Sequence, residues 1–176
     1  MKTGMKEKPD FAQVYEDNFR YVYNVVYMRV MHREIAEDIT GEVFTKAFSS
    51  YGRYDPSIAS PATWLCAIAN NEVKSYLRKA STSREIASDE LPETETDDGE
   101  EERTSAWAVN REAERILSNL SKSERELLSL RLAADLSFKE VAEVLGINEK
   151  AATERYRRIL KKCRKFTEGK SLSDFV

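Results

Sequence analysis

The sequence predicts an all-α protein: two small helical domains joined by a flexible acidic linker, the second a helix-turn-helix domain. Three observations predict it. Apolar residues recur at three- and four-residue steps through most of the 176 residues, which is the period of one helical face. No run alternates polar and apolar residues as a half-buried strand does. The helical period stops once, between about Ser81 and Ser105, where residues 85–102, EIASDELPETETDDGEEE, hold ten acids and no base. A stretch of one-sign charge with little apolar surface does not offset the entropy of ordering. The expected domains are therefore residues 10–80 and 106–168, with a linker at 81–105.

The elements follow in order. In DFAQVYEDNFRYVYNVVYMRV, Phe11, Val14, Tyr15, Phe19, Val22, Val26 and Val30 lie on one helical face, with Asp10 as the expected N-cap. After a break at MHR, Ile35, Ile39, Val43 and Ala47 mark the buried side of a second helix, from which Glu37, Asp38, Gly41 and Glu42 point away. SSYGRYDPSIAS reads as a loop. Ser60 before Pro61 is an N-cap followed by proline at the first helical position. The third helix buries Trp64, Leu65, Ile68, Ala69, Val73, Tyr76 and Leu77 and leaves Asn71, Lys74 and Arg78 together on a polar, positive face. Beyond the linker comes the helical pattern WAVNREAERILSNL. SKSE at 121–124 and SFKE at 137–140 are capping boxes that each open a helix. Gly146 ends the second of these, and Asn148 caps the last helix.

Composition excludes several classes. The N-terminus has no apolar run of signal-peptide length and nowhere is there a span of roughly 20 apolar residues, so an unexported, cytoplasmic protein without membrane insertion is expected. Cys66, Cys163 and the single His32 show no zinc-ligand spacing, and the two cysteines read as buried small hydrophobes. No metal or other cofactor is expected. Adjacent carboxylates such as Glu37 and Asp38 diverge on a helix, and there is no phosphate loop or nucleophile–histidine–acid set, so no catalytic residue is expected. The net charge of −3 hides a division, because the acidic run leaves the rest of the chain at +7. Residues 150–165 alone hold eight bases against Glu154. Potential near a surface depends on such clustering within a Debye length, about 8–10 Å.

FKEVAEVLGINEKAATERYRRI therefore reads as a short helix, a tight turn and a longer helix with a basic outer face. Val141, Leu145, Ile147, Ala152, Tyr156, Ile159 and Leu160 face inward, while Lys150, Thr153, Glu154, Arg157, Arg158 and Lys161 face outward. In this geometry the start of the second helix reaches base edges and the later bases meet phosphates.

AEDITGEVFTKAF, then WLCAIANNEVKSYLRK, then LSKSERELLSLRLAADLSFKEVAEVLGINEKAATERYRRILKKCRK together resemble the extracytoplasmic-function group of bacterial sigma-70-type sigma factors, over roughly residues 10–166. The resemblance implies a subunit that binds core RNA polymerase and directs promoter recognition, DNA melting and transcription initiation. It implies that Glu37, Asp38, Glu42 and Phe44 dock on the clamp helices of the largest polymerase subunit, although Phe44 could equally be core. It places Tyr51, Tyr54, Trp64, Asn71, Lys74 and Arg78 at the melted minus-ten element; Trp64 lies on the apolar stripe, and Asn71 is the foremost base contact. It places Arg155 and Arg158, beside the outward residues already named, at the minus-thirty-five duplex, and it implies an anti-sigma factor as a further partner. The sequence departs from the family pattern at Gly41, Ser75 and Thr153–Glu154. Glutamate there can accept from cytosine N4, which suggests an altered promoter preference. A one-component helix-turn-helix regulator is the alternative reading, and it leaves the Asn71–Lys74–Arg78 face unexplained.

Overall fold

Helix α1, Phe11–Val30, ends where Met31 takes a left-handed φ of 54° and returns its N–H to the Tyr27 carbonyl. This computed structural model describes residues 8–86 and 111–166. Asp10 stands at the N-cap of α1, but its side chain makes no cap bond. The Met31–His32 break turns the chain into α2, Arg33–Ser50, and a short 3-10 turn, Tyr51–Arg53, leads to the loop before α3, Pro61–Ile86. Ser60 caps α3 as expected, its Oγ accepting from the Thr63 N–H at 3.2 Å. The helix continues past Ser81, where the linker was expected to begin. Serine and threonine tolerate a helix when the hydroxyl bonds back along it, as Thr82 does to the Arg78 carbonyl at 3.1 Å. The other expected linker residues, apart from 81–86, and the segment around Trp107 lie outside the described residues.

In the first domain α1, α2 and α3 enclose Val14, Val22, Val26, Ile39, Val43, Leu65, Ala69 and Val73. In the second, α4 (Arg111–Ser118), α5 (Lys122–Leu132), α6 (Phe138–Leu145) and α7 (Glu149–Arg164) surround Ile116, Leu127, Leu128, Leu130, Val141 and Ile159. Every described element is helical. The punctuation read from sequence is present in detail. Both capping boxes are formed, at Ser121 with Glu124 and at Ser137 with Glu140. Gly146 takes φ 66°, a left-handed value that costs glycine nothing and other residues roughly 1 kcal/mol or more.

The apolar face of α1 is not covered along its whole length, since Tyr15 and Phe19 remain 42% and 38% exposed. Instead α1 lies between two layers. One side packs on α2 and α3, and another packs on α5, burying Val25, Met28 and Arg29. Val25, Met28 and Cys66 belong to the core of the second domain, so the two domains share apolar contacts. Cys66 and Cys163 are unpaired and buried, and burial, with the charge of Glu140 nearby, pushes the Cys66 thiol up to about 12. No described helix is long and apolar enough to cross a membrane, and no described group of three or more His, Cys, Asp or Glu side chains is arranged to hold a metal.

Candidate nucleic-acid interface and docking face

The outer face of α7 in the second domain is positioned by local bonds. Ser137 donates its N–H to Glu140 Oε2 at 2.9 Å and accepts from the Glu140 N–H at 3.3 Å, which fixes where α6 starts. Gly146 turns the chain, and Asn148 Oδ1 accepts from the Ala151 N–H at 2.7 Å, which starts α7. Ala152, Ile159 and Cys163 then point inward, and Tyr156 packs edge-on against Phe138 with centroids 5.4 Å apart. Helical geometry leaves Lys150, Glu154, Arg155, Arg157, Arg158 and Lys161 exposed. Thr153 is half-buried, its hydroxyl donating to the Glu149 carbonyl at 3.0 Å. Glu154 and Arg157 hold one another, Arg157 Nη1 donating to Glu154 Oε1 at 3.1 Å. Both are solvent-exposed, so the pair is weak and its groups are free to exchange partners. Lys162 is drawn off the outer face to Glu124 of α5 at 2.8 Å.

On the first domain, Asn71, Lys74 and Arg78 project together from α3, and all three are exposed. Lys74 Nζ also lies 2.9 Å from Glu126 Oε1 of α5. The tyrosines expected beside them are placed differently from one another. Tyr54 is only 6% exposed, with its hydroxyl donating to the Ala59 carbonyl at 2.9 Å and its ring centroid 4.7 Å from that of Trp64. Tyr51 is half-buried, stacks on Tyr54 at 5.7 Å, carries the Lys8 ammonium over its ring at 4.4 Å, and donates its hydroxyl to the Pro9 carbonyl. Burial raises both phenols above their ordinary value. The aromatic trio braces the loop ahead of α3, and Tyr54 is internal to it.

The third surface is the outer side of α2. Glu37, Asp38 and Glu42 are exposed as expected, with Glu37 accepting from Arg33 Nε at 3.0 Å. Phe44 is 5% exposed, so it does not stand out as a contact; it floors a groove. Phe11, Tyr15 and Phe19 from α1 and Gly41 and Phe48 from α2 wall a cavity of about 400 Å³. Tyr15 meets Phe44 edge-on at 4.7 Å and Phe19 stacks on it at 5.8 Å. Phe48 is 67% exposed. A Cβ added at Gly41 would meet nothing within 4 Å, so no internal packing requires the glycine. Sequence reasoning missed this groove. The four-residue spacing of Phe11, Tyr15 and Phe19 was a signal, but periodicity identifies an apolar face without saying whether the chain itself covers it.

Profiles of two families match the chain: Sigma-70 region 2 over residues 14–82 and Sigma-70, region 4 over residues 110–163. The chain is 28% identical to the ECF RNA polymerase sigma factor BldN of Streptomyces coelicolor, over 87% of this chain and 59% of that relative's length. It is 31% identical to the ECF RNA polymerase sigma factor ShbA of Streptomyces griseus, over 77% of this chain and 73% of the relative. Among solved structures, the sigma factor RpoE in complex with the anti-sigma factor NepR from Bartonella quintana superposes with a TM-score of 0.77 at 18% identity, covering 90% of this chain and 97% of that one. CnrH in complex with the cytosolic domain of CnrY superposes with a TM-score of 0.64 at 20% identity, covering 92% and 89%.

Proposed function

The chain belongs to the extracytoplasmic-function group of the sigma-70 family, and on that premise we propose that it binds core RNA polymerase in the cytoplasm and directs it to promoters, where it helps melt the DNA. The observation that carries the reading is the presence, in one chain, of an exposed acidic face on α2 and two separate exposed faces rich in cations, on α3 and α7. The protein has no turnover of its own in this reading; the polymerase performs the chemistry.

Residues 10–80 take the docking and minus-ten roles. Asp38 and Glu42 form no ion pair among the described residues, so their charge is available to cations on the clamp helices of the polymerase. The aromatic groove beside them accepts apolar side chains from the same partner, with Phe44 supporting its floor. On α3 the Asn71 amide supplies both a donor and an acceptor to the edge of an extruded base, and Lys74 and Arg78 supply cations to phosphates. Tyr51 offers a stacking surface that Tyr54 props from behind. Residues 106–168 take the minus-thirty-five role, with Lys150, Thr153 and Glu154 near base edges and Arg155, Arg157, Arg158 and Lys161 nearer the backbone. An anti-sigma factor is a further partner, as the two solved relatives carry such partners or a second chain in their complexes.

Run-off transcription with core polymerase and genomic fragments tests the proposal. Transcripts that depend on this protein are the expected result, and core polymerase giving the same transcripts with and without it would refute the reading.

A further inference from the structure

Where α1, α3 and α5 meet, three cations share one acid. Arg29 of α1 is 5% exposed and donates from Nη1 to Asn70 Oδ1 of α3 at 2.7 Å. Its Nη2 lies 3.6 Å from Glu126 Oε1 of α5. Lys74 of α3 comes within 2.9 Å of the same oxygen, and 52% of its side chain is exposed against 14% of that of Glu126. Arg125, beside Glu126 on α5, is half-buried, and its Nη1 donates to the Met31 sulfur at 3.0 Å. A thioether is a weak acceptor and carries no charge. Arg29 Nε, Arg125 Nε and Glu126 Oε1 are all buried without a hydrogen bond, so Lys74 and Glu126 touch as ions without an aligned donor–acceptor geometry.

We infer that this cluster is a binding site for a small phosphate-bearing anion, held by Arg29 and Arg125 with Lys74 at its mouth. Glu126 fixes the cations in place but carries one charge, so an excess of two positive charges is left, which a phosphate dianion matches. Burial lowers Arg29 below its ordinary value; the charge of Glu126 opposes this and that of Arg125 adds to it. Burial also lowers Arg125, and no acid among the described residues offsets it. Buried cations without a full counter-charge are costly. An oxyanion turns that cost into charge-assisted hydrogen bonds, and a guanidinium edge matches two phosphate oxygens at once. Arg125 commits Nη1 to the sulfur, which leaves its Nε–Nη2 edge for such a paired contact.

The burial of Arg29 also sets the size of the ligand. A phosphate in a nucleic-acid backbone does not reach a side chain so enclosed, whereas a small anion passes Lys74, the exposed member of the cluster. The site is independent of the sigma-factor reading, because it uses neither α2 nor the outer face of α7.

The test is calorimetric titration of the full-length protein with sodium phosphate and, separately, with 5′-AMP, at an ionic strength held constant with sodium chloride. One phosphate per chain is expected, with a dissociation constant of about 1 mM. At that affinity about 10 mM phosphate should raise the melting temperature by about 3–6 °C. Arg125→Met roughly keeps the volume and removes a cation whose one bond is to sulfur, so the variant should fold and bind at least about tenfold more weakly. Arg158→Gln loses a cation from the outer face of α7 instead and should bind phosphate as the wild type does. Binding of phosphate but not of 5′-AMP identifies the free ion, and binding of both identifies a phosphate monoester; either outcome upholds the site. No heat or stabilisation beyond that given by chloride would overturn the inference. Undiminished binding by Arg125→Met would overturn it too, as would an equal loss in Arg158→Gln, which would put the anion on α7. If Arg125→Met does not fold, Lys74→Gln, at an exposed position, is read in the same way.

Discussion

Asp38 sits on the exposed side of α2, and a change there meets no packed neighbour. Asp38→Arg is therefore expected to shift stability by less than about 0.5 kcal/mol while weakening association with core polymerase at least tenfold, because it sets a cation against cations. Equal affinity of variant and wild type in a direct binding assay would remove Asp38 from the docking face. Arg157 presents a second case. It is tied to Glu154 on the surface, a contact worth little, so Arg157→Ala should leave the melting temperature unchanged. If Arg157 meets a phosphate, the plot of log affinity against log salt for promoter DNA should flatten by about one unit. The recognition helix was legible residue by residue because its caps fix its phase, and the phase decides which bases face out. The helical face through Tyr15 and Phe19 was legible too, but its exposure was not, because an uncovered aromatic face has the same spacing as a covered one.

Four of the helices, α3, α5, α6 and α7, begin where short-range chemistry dictates. Ser60, Ser121, Ser137 and Asn148 all accept the cap bonds that their types imply. The end of α3 was not legible, because serine and threonine in a polar stretch fit a frayed helix as well as a linker. Gly41 tests α2 as an element. Alanine there meets no obstruction and removes unfolded-state freedom, so Gly41→Ala should stabilise the protein by about 0.4–1 kcal/mol. A lowered melting temperature would contradict the open space beside Gly41. The start of α6 is tested by pH. Burial by itself would raise the Glu140 carboxyl, but bonds from Ser137, Thr63 and Ser60 outweigh it and hold the group below its ordinary value of 4.5. A carboxyl depressed on folding contributes stability above its unfolded value and loses it as the pH falls through the folded one. Wild-type stability should thus drop as the pH falls below about 4.5, and Glu140→Gln should drop less over the same window. Parallel curves for the two proteins would show that Glu140 is not a coupled group.

At the scale of the molecule, the sequence pattern shows apolar stripes but not which body covers each one. The two domains and the helix-turn-helix could be read from the chain, whereas their shared boundary could not. Val25 and Met28 lie off the stripe that defines the first domain's core, and they are buried in the second domain's cluster, where α5 lies across α1. This separates two kinds of destabilising change. Val22 is buried within the first domain's own core, so Val22→Ala removes packing needed in every state of the protein. Met28 is 2% exposed within the second domain's cluster, and Met28→Ala should cost the closed form about 2–5 kcal/mol. If the domains part on the polymerase, the side chain has already left that core, and the cost does not appear in the active form. Met28→Ala is therefore expected to lower the melting temperature of the free protein while run-off transcription at 25 °C stays at or above the wild-type level. Val22→Ala is expected to lower both, the transcription more steeply as temperature rises. Equal losses of transcription in the two variants, at matched losses of thermal stability, would mean that the boundary between the domains stays intact during initiation.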